Sequence, residues 1–225
     1  MNKLFNAIWL CPALVGILVS CAALPPAAGE NPPENATRSA AFTHTSSAEK
    51  APEKPVIPRI PEYIMGTGIA SAKDLSSFLL SVNTAEDKSF IEGLAFIYIE
   101  EAAAEGVNHD VAFAQMCLET GFLRYGNLVT PDQNNFCGLG AIGPGQSGER
   151  FPTPRIGVRA HVQHLKAYAT DAPLNQELVD PRYRFVRLGS SPAIKGLAGT
   201  WAADRNYAEK IGNILNNLYN HSFGS

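Results

Sequence analysis

Residues 87–106 read "DKSFIEGLAFIYIEEAAAEG", an apolar stretch that predicts a long helix at the centre of a core. Gly106 follows it and is of the residue type that ends helices. Shorter helical patterns flank it, "SAKDLSSFLLSV" (71–82) before and "VAFAQMCLETGF" (111–122) after. The apolar residues that mark the central helix are Phe90, Ile91, Leu94, Phe96, Ile97 and Tyr98. The pattern is that of a mainly α protein.

Glu119 occupies the last turn of the helix that follows. It comes after Val111, Ala114 and Cys117, which recur at the spacing of one buried helix face, and Gly121 ends the helix. A carboxylate half out of water has a raised pKa and can donate a proton near neutral pH. The pattern therefore predicts a general acid, and the alternative is a helix-end glutamate that merely reaches solvent.

The chain changes character between residues 134 and 153, which read "NNFCGLGAIGPGQSGERFPT". Its glycines and prolines exclude a long helix, and its short apolar stretches suggest a small β-hairpin. Helical patterns resume in "RIGVRAHVQHLKAYA", "SPAIKGLAGTWAA" and "NYAEKIGNILNNLY". We predict a helical bundle with one small β-hairpin lobe inserted after the Glu119 helix.

The N-terminus predicts export and a lipid anchor. Residues 1–21 combine Lys3 with a proline-interrupted apolar run that is too short for a comfortable membrane span, as in a signal peptide. The run ends in "LVSC" (18–21), which resembles the lipobox of bacterial lipoproteins and makes Cys21 the lipidated residue. The alternative is an ordinary secretory signal cleaved near Ala23 or Ala28.

Residues 22–65 are rich in Ala, Pro, Glu, Ser and Thr and predict a disordered tether, which leaves residues 66–225 as one domain. Ala22 carries no acidic retention signal. We expect a monomer in the cell envelope that is lipid-anchored to the membrane. In a source with two membranes, the missing retention signal favours the outer membrane, facing the periplasm.

Charge and motif content argue against other classes of function. A net charge of −3 argues against a nucleic-acid partner, and no motif suggests a cofactor. His161 and His164 lie on adjacent turns without a third ligand, which predicts solvated helix histidines and no metal site. Six arginines concentrate positive charge after the lobe and suit carboxylates: Arg150, Arg155, Arg159, Arg182, Arg184 and Arg187.

Four ordered blocks resemble the glucosaminidase domain family. This family comprises peptidoglycan N-acetylglucosaminidases with a lysozyme-like fold, of the glycoside hydrolase family 73 type and similar to mannosyl-glycoprotein endo-β-N-acetylglucosaminidases. The resemblance covers about residues 75–220 and lies in "VAFAQMCLETGF", "NNFCGLGA", "RFPTPRIGVRAHVQHLKAY" and "WAADRNYAEKIGNIL". The sequence departs from the family at Cys137, where phenylalanine is usual, at Trp201, where tyrosine is usual, and in a short lobe.

The resemblance implies that Glu119 is the general acid for cleaving the β-1,4 bond between N-acetylglucosamine and N-acetylmuramic acid in peptidoglycan glycan strands. Glu149, the lobe's only carboxylate, is a candidate second catalytic or cleft-lining group, and the alternative is assistance by the substrate's own 2-acetamido group. The predicted substrate-binding residues are Gln115, which shares a helix face with Glu119, the cleft-floor residues Asn135 and Phe136, and Tyr207 in the closing segment.

The resemblance also implies that Cys117 and Cys137 lie close together. An oxidising compartment would then permit a disulfide between them, and the alternative is a pair of buried free thiols. Two rival functions remain: a lytic transglycosylase or muramidase of similar fold, which would cut on the other sugar, and a non-catalytic peptidoglycan-binding lipoprotein.

Overall fold

Five α-helices carry the fold in this computed structural model, which describes residues 56–126, 128–141, 143 and 145–224. The helices are α1 (Ala72–Val82), α2 (Lys88–Glu105), α3 (His109–Thr120), α4 (Pro154–Ala169) and α5 (Tyr207–Phe223), and short 3-10 turns span Pro131–Gln133, Tyr183–Phe185 and Ile194–Leu197. The mainly α architecture is confirmed, but the helix expected in "SPAIKGLAGTWAA" is not formed, because only the 3-10 turn Ile194–Leu197 lies there. The predicted signal peptide, Cys21 and the tether as far as residue 55 lie outside the described residues.

The central position predicted for α2 is confirmed, because this helix packs against α1, α3 and α4. Tyr98, on its buried face, is fully covered and meets Phe113 and Phe136 edge-on at ring-centroid distances of 5.6 Å and 6.5 Å. Phe96 is the exception among the predicted core residues, since it is exposed.

Ion pairs join α2 to α4. Glu101 accepts hydrogen bonds from the guanidinium groups of Arg155 (2.7 Å) and Arg159 (2.8 Å), and these donors lower the pKa of its carboxyl against the opposing effect of burial. One turn further along, Lys166 donates to Glu105 over 2.8 Å in a fully buried pair. Since a buried charge without a partner is costly, these pairs fix the two helices against each other.

The packed domain begins before residue 66. Ile64 is fully buried in the core, and its backbone N–H donates to the carbonyl of Pro192 over 3.0 Å. Single β-bridges on either side join Tyr63 to Ala193 and Met65 to Val107. The last residues of the expected tether therefore pack as an edge of the domain.

The β-hairpin expected between residues 134 and 153 is not confirmed. The described part of this segment contains one isolated bridge, between Gly143 and Gln146, and no strand. Closely spaced glycines turn the chain too often for a ladder, since five adopt positive φ: Gly138, Gly140, Gly143, Gly145 and Gly148.

Consecutive side-chain amides hold this lobe together in place of a ladder. Gln133 donates to the carbonyl of Ser147 over 2.9 Å, and Asn134 donates to the carbonyl of Phe151 over 2.9 Å. The lobe also lies directly on α4, because a Cβ on Gly157 would come within 1.8 Å of the carbonyl oxygen of Asn134. Gly157 thus permits the close contact between the lobe and α4.

Candidate active site at the end of the third helix

Glu119 lies in the last turn of α3, whose buried face commits the helix to the core. Asn108 caps the beginning of α3 by accepting from the N–H of Asp110, and Gly121 ends it with left-handed φ of 58°. The carboxylate opens into a cavity of about 290 Å³ between α3, the lobe and the turn at Trp201. Among the described residues that line this cavity, Glu119 is the only carboxylate.

Two donors converge on one oxygen of this carboxylate. The indole Nε1–H of Trp201 donates to Glu119 Oε1 over 3.0 Å, and the hydroxyl of Tyr207 donates to the same atom. Burial raises the pKa of Glu119, and the two hydrogen bonds offset this rise in part. Because Oε1 is occupied by donors, a proton on this carboxyl belongs on Oε2, which lies on the side of Gly138 in the lobe.

A buried chain of hydrogen bonds stands behind Tyr207. Gln115 Nε2 donates to the Tyr207 hydroxyl over 2.9 Å, and Gln115 Oε1 lies 3.0 Å from His161 Nε2. The other ring nitrogen of His161 lies 2.9 Å from the hydroxyl of Tyr98. An amide oxygen only accepts, so His161 carries its proton on Nε2 and accepts from Tyr98 at Nδ1. Every bond in the chain therefore donates towards Glu119.

His161 is a buried neutral imidazole. It is 0% exposed, and its loss of hydration, together with the nearby His164, lowers its pKa to about 3. His164 is also largely covered, with Nδ1 2.7 Å from Asp180. The prediction that these two are solvated helix histidines is wrong, because the helical pattern does not show which elements cover that face of α4.

Trp201 is held by aromatic rings on α4. Its ring lies 5.9 Å from His161, 5.1 Å from His164 and 5.5 Å from Tyr168, measured between centroids. These three α4 residues share one face at i, i+3 and i+7 spacing. Sequence reasoning noted Trp201 only as a departure from the family pattern and did not place it in the site. The aromatic face of α4 was the signal that could have found it.

The chain leaves α3 through a left-handed turn. Phe122, Leu123 and Tyr125 all have positive φ, between 57° and 61°, although none is glycine. This conformation is unfavourable for side chains with a Cβ, by about 1 kcal/mol or more each. Thr120 secures the turn by accepting from the N–H of Leu123 over 2.9 Å. The turn brings Tyr125 into the cavity wall, a residue that sequence reasoning missed.

The predicted substrate-binding residues divide between the cavity and the layer beneath it. Asn135 lines the cavity, and its amide also clasps the lobe by donating to the carbonyl of Leu139 over 2.9 Å. Phe136 does not form a cleft floor, because it is buried in the core. Gln115 and Tyr207 are buried as well, and Gln115 reaches Glu119 only through Tyr207.

Glu149 is not brought into the cavity wall. Its backbone N–H donates to Leu139 over 2.7 Å, and its side chain lies against Gly140. The glycine-rich turns of the lobe fold residue 149 back against residues 139 and 140. Glu149 is not among the residues that line the cavity of Glu119, although its carbonyl accepts from Asn135, which does line it, over 3.1 Å.

Cys117 and Cys137 are free thiols, so the disulfide is absent. Cys117 packs in the main core, whereas Cys137 packs in a smaller cluster with Leu139 and Phe151. Burial raises the pKa of both thiols, and the charge of Glu119 contributes at Cys137. Each side chain fills space in its own cluster.

The described residues contain neither a cluster suited to a metal ion nor a helix suited to a membrane. Within them, no group of three or more histidine, cysteine, aspartate or glutamate side chains could hold a metal ion. No helix there has the length and apolar character needed to cross a membrane.

A family model and one relative match this chain. Residues 95–220 match the glucosaminidase family model, described as mannosyl-glycoprotein endo-beta-N-acetylglucosaminidase. An uncharacterized protein of Borreliella burgdorferi is 39% identical over 160 residues, which cover 71% of this chain and 78% of that relative.

Two solved structures also show similarity. One is Staphylococcus aureus autolysin E in complex with the muropeptide NAM-L-Ala-D-iGlu, at 14% identity and a TM-score of 0.45, covering 70% of each chain. The other is the catalytic domain of the Listeria monocytogenes autolysin Auto, at 15% identity and a TM-score of 0.39, covering 68% of this chain and 90% of that one.

Proposed function

Because the chain belongs to the glucosaminidase family, a family of glycoside hydrolases, we propose that it is a peptidoglycan N-acetylglucosaminidase. Its substrate is the β-1,4 bond between N-acetylglucosamine and N-acetylmuramic acid. The observation that carries the proposal is the carboxyl of Glu119, which is largely buried, has a raised pKa and opens into the cavity. Such a group keeps the proton that the leaving sugar oxygen requires.

Glu119 acts as the general acid in this proposal. Trp201 and Tyr207 occupy Oε1, so Oε2 delivers the proton to the glycosidic oxygen as the bond to the anomeric carbon breaks. The same carboxylate then takes a proton from the water that completes hydrolysis. Tyr207 and Trp201 hold the carboxyl in one orientation throughout, which lowers the cost of reaching the reactive geometry.

The second catalytic function falls to the substrate in our proposal. No other carboxylate lines the described cavity, and Glu149 lies against Gly140 outside it. The carbonyl oxygen of the substrate's 2-acetamido group then attacks the anomeric carbon and forms an oxazolinium ion, which water opens. A thiazoline analogue of N-acetylglucosamine mimics that ion. We expect its inhibition constant to be equal to or lower than the KM of the substrate.

Mass spectrometry of the muropeptides released from purified peptidoglycan tests the proposed bond. We expect products with N-acetylglucosamine at the reducing end, which borohydride converts to the alditol. Reducing-end N-acetylmuramic acid would indicate a muramidase, and its anhydro form a lytic transglycosylase. Absence of any product from wild-type protein would favour the non-catalytic binding lipoprotein.

We also propose that the enzyme works from a membrane surface. The "LVSC" motif ending at Cys21 and the Ala- and Pro-rich segment after it support a lipid anchor followed by a tether. An anchored hydrolase on a tether can reach the glycan strands of a nearby wall without leaving the membrane. This arrangement places the substrate and the enzyme in the same envelope compartment.

A further inference from the structure

A second cavity, of about 240 Å³, adjoins the cavity of Glu119. Four residues line both cavities: Cys137, Gly138, Ala141 and Trp201. A chain-like ligand that passes Glu119 along this wall therefore continues into the second cavity.

The second cavity has a cationic side, which the first lacks. Arg182 lines it, together with His164, Tyr168 and Phe185. No lysine or arginine is among the described residues that line the first cavity. The two cavities thus favour different substituents of one ligand.

The guanidinium of Arg182 is available to a ligand. It forms no ion pair with any carboxylate in the described part of the chain, whereas Arg150, Arg155 and Arg159 all do. Asp180 is the nearest acidic neighbour in sequence, but it is buried and accepts from His164 and from the backbone N–H of Arg182. Half of the positive cluster seen in the sequence is therefore neutralised within the protein, and Arg182 is not.

Phe185 orients this guanidinium. The ring is 60% exposed, and Arg182 Cζ lies 4.5 Å from its centroid while Arg184 Cζ lies 4.7 Å from it. A guanidinium stacked on an aromatic face keeps its N–H donors directed along its edge, which suits two-point binding of a carboxylate. The surface combines this fork with an exposed ring that can pack against a sugar or a peptide side chain.

We propose that the second cavity is a subsite for a carboxylate carried on the muramic sugar, bound by Arg182. This inference rests on the proposed function. Every second sugar of the glycan carries a lactyl group, whose carboxylate is free in peptide-free strands and amide-linked to a stem peptide in substituted strands. Stem peptides contain carboxylates of their own. Either source supplies the anion that the fork of Arg182 fits.

Binding measured by calorimetry on the full chain carrying Glu119→Gln tests the subsite without turnover. Three ligands of equal sugar number separate the sources: a peptide-free tetrasaccharide with free lactyl groups, a peptide-bearing tetrasaccharide, and neutral chitotetraose. We expect Arg182→Gln to weaken binding of at least one carboxylate ligand by about tenfold or more, as for a lost charge-assisted hydrogen bond. Binding of chitotetraose should not change.

The ligand that loses affinity identifies the source of the carboxylate. The subsite is overturned if Arg182→Gln weakens the binding of all three ligands or of none of them. It is also overturned if the protein with intact Arg182 binds none of the three ligands. Arg182→Lys keeps the charge but loses the fork and should recover only part of the loss. Lys195→Gln removes the same charge from an exposed position outside both cavities and should have no effect.

Hydrolysis of peptidoglycan by the wild type is measured in parallel. If the wild type does not hydrolyse peptidoglycan but Arg182→Gln still weakens the binding of a carboxylate ligand, the proposed reaction is refuted and the subsite is not. An active wild type whose binding ignores Arg182 refutes the subsite alone.

Discussion

Tyr207, the first residue of α5, donates a hydrogen bond from its hydroxyl to Oε1 of Glu119 in the last turn of α3. The two residues are 88 positions apart in the chain. The contact joins the beginning of one helix to the end of another at the point where the cavity opens. It explains how a carboxyl on a core helix keeps one oxygen fixed and the other directed at the cavity.

Removing the proposed general acid should abolish the proposed hydrolysis. Glu119→Gln keeps the shape and an acceptor oxygen, but its amide has no acidic proton to transfer to the leaving oxygen, so kcat should fall by about a hundredfold or more. Release of soluble muropeptides from purified walls measures this. Glu92→Gln is the matched control, because it removes an exposed carboxylate on α2 outside both cavities and should keep the activity. Glu149→Gln tests the substrate-assisted route, for which we expect most of the activity to remain. Activity of Glu119→Gln near that of the wild type would end the assignment.

The same substitution should stabilise the fold at neutral pH. Burial raises the folded-state pKa of Glu119 above its ordinary value of 4.5, so the folded protein resists losing this proton. The wild type therefore loses stability relative to Glu119→Gln as the pH rises through that raised pKa. Thermal unfolding of both proteins between pH 4 and pH 8 should show a difference that grows with pH. A difference that shrinks with rising pH would contradict the raised pKa.

Tyr207→Phe should move the pH profile upward. The hydroxyl of Tyr207 stabilises the carboxylate form of Glu119, so its removal raises the pKa of the acid further. The high-pH limb of kcat/KM should then shift to higher pH by about one unit, with a lower maximum because the carboxyl loses its orientation. Tyr219→Phe is the control, since its hydroxyl donates to Asp110 and not to Glu119, and Tyr219 lies outside both cavities. A high-pH limb that does not shift in Tyr207→Phe would show that this tyrosine does not set the pKa of the group that limits kcat/KM.

His161 should make the protein sensitive to acid. Its folded-state pKa of about 3 lies below the ordinary value of 6.5, so between these values the unfolded chain binds a proton that the folded protein excludes. Stability is therefore present above pH 6.5 and is lost as the pH falls towards 3, by about 1.4 kcal/mol per pH unit from this group. Urea unfolding between pH 4.5 and pH 7 measures the slope.

His161→Gln should lower stability at pH 7, because it disturbs the buried bonds to Gln115 and Tyr98, but it should flatten the pH slope. His221→Gln removes an exposed imidazole at the far end of α5 and controls for the loss of a histidine. An equal slope in wild type and His161→Gln would show that another group causes the acid sensitivity.

Both cysteines of the domain should react only after unfolding. Cys117 and Cys137 are buried free thiols with raised pKa values, so few thiolates form and reagents cannot reach them. A chain of residues Ala51–Ser225 should show no rapid thiol reaction when native and two reactive thiols in denaturant without reductant. Finding no reactive thiol in denaturant would show that Cys117 and Cys137 form a disulfide.

The proposed lipid anchor depends on Cys21. Cys21→Ser removes the thiol that would receive the lipid, and a signal peptide alone leaves no stable attachment after cleavage. Metabolic labelling with a fatty acid should mark the wild type and not the variant, and the variant should leave the membrane pellet. An unlipidated variant that stays in the pellet would show that something other than Cys21 holds the protein.

Local patterns predicted the five α-helices and the place of Glu119, but they also predicted a helix over residues 191–203, where only the 3-10 turn Ile194–Leu197 forms. The apolar spacing in residues 87–106 predicted α2, and Val111, Ala114 and Cys117 predicted the buried face of α3 that carries Glu119 into a partly desolvated position. These features depend on residues three or four apart, and the glycines at 106 and 121 end the helices through their own backbone freedom. Nothing distant was needed to predict them.

Only the tertiary structure determined how the carboxyl of Glu119 is held. Trp201 and Tyr207 reach Glu119 from 82 and 88 residues away, and His161 proved buried because Trp201 and Tyr98 cover it. The lobe is closed by the amides of residues 133–135 and not by a hairpin ladder. Periodicity reports which face of a helix is apolar, but the partners of a buried polar group come from wherever the fold brings a donor within about 3 Å.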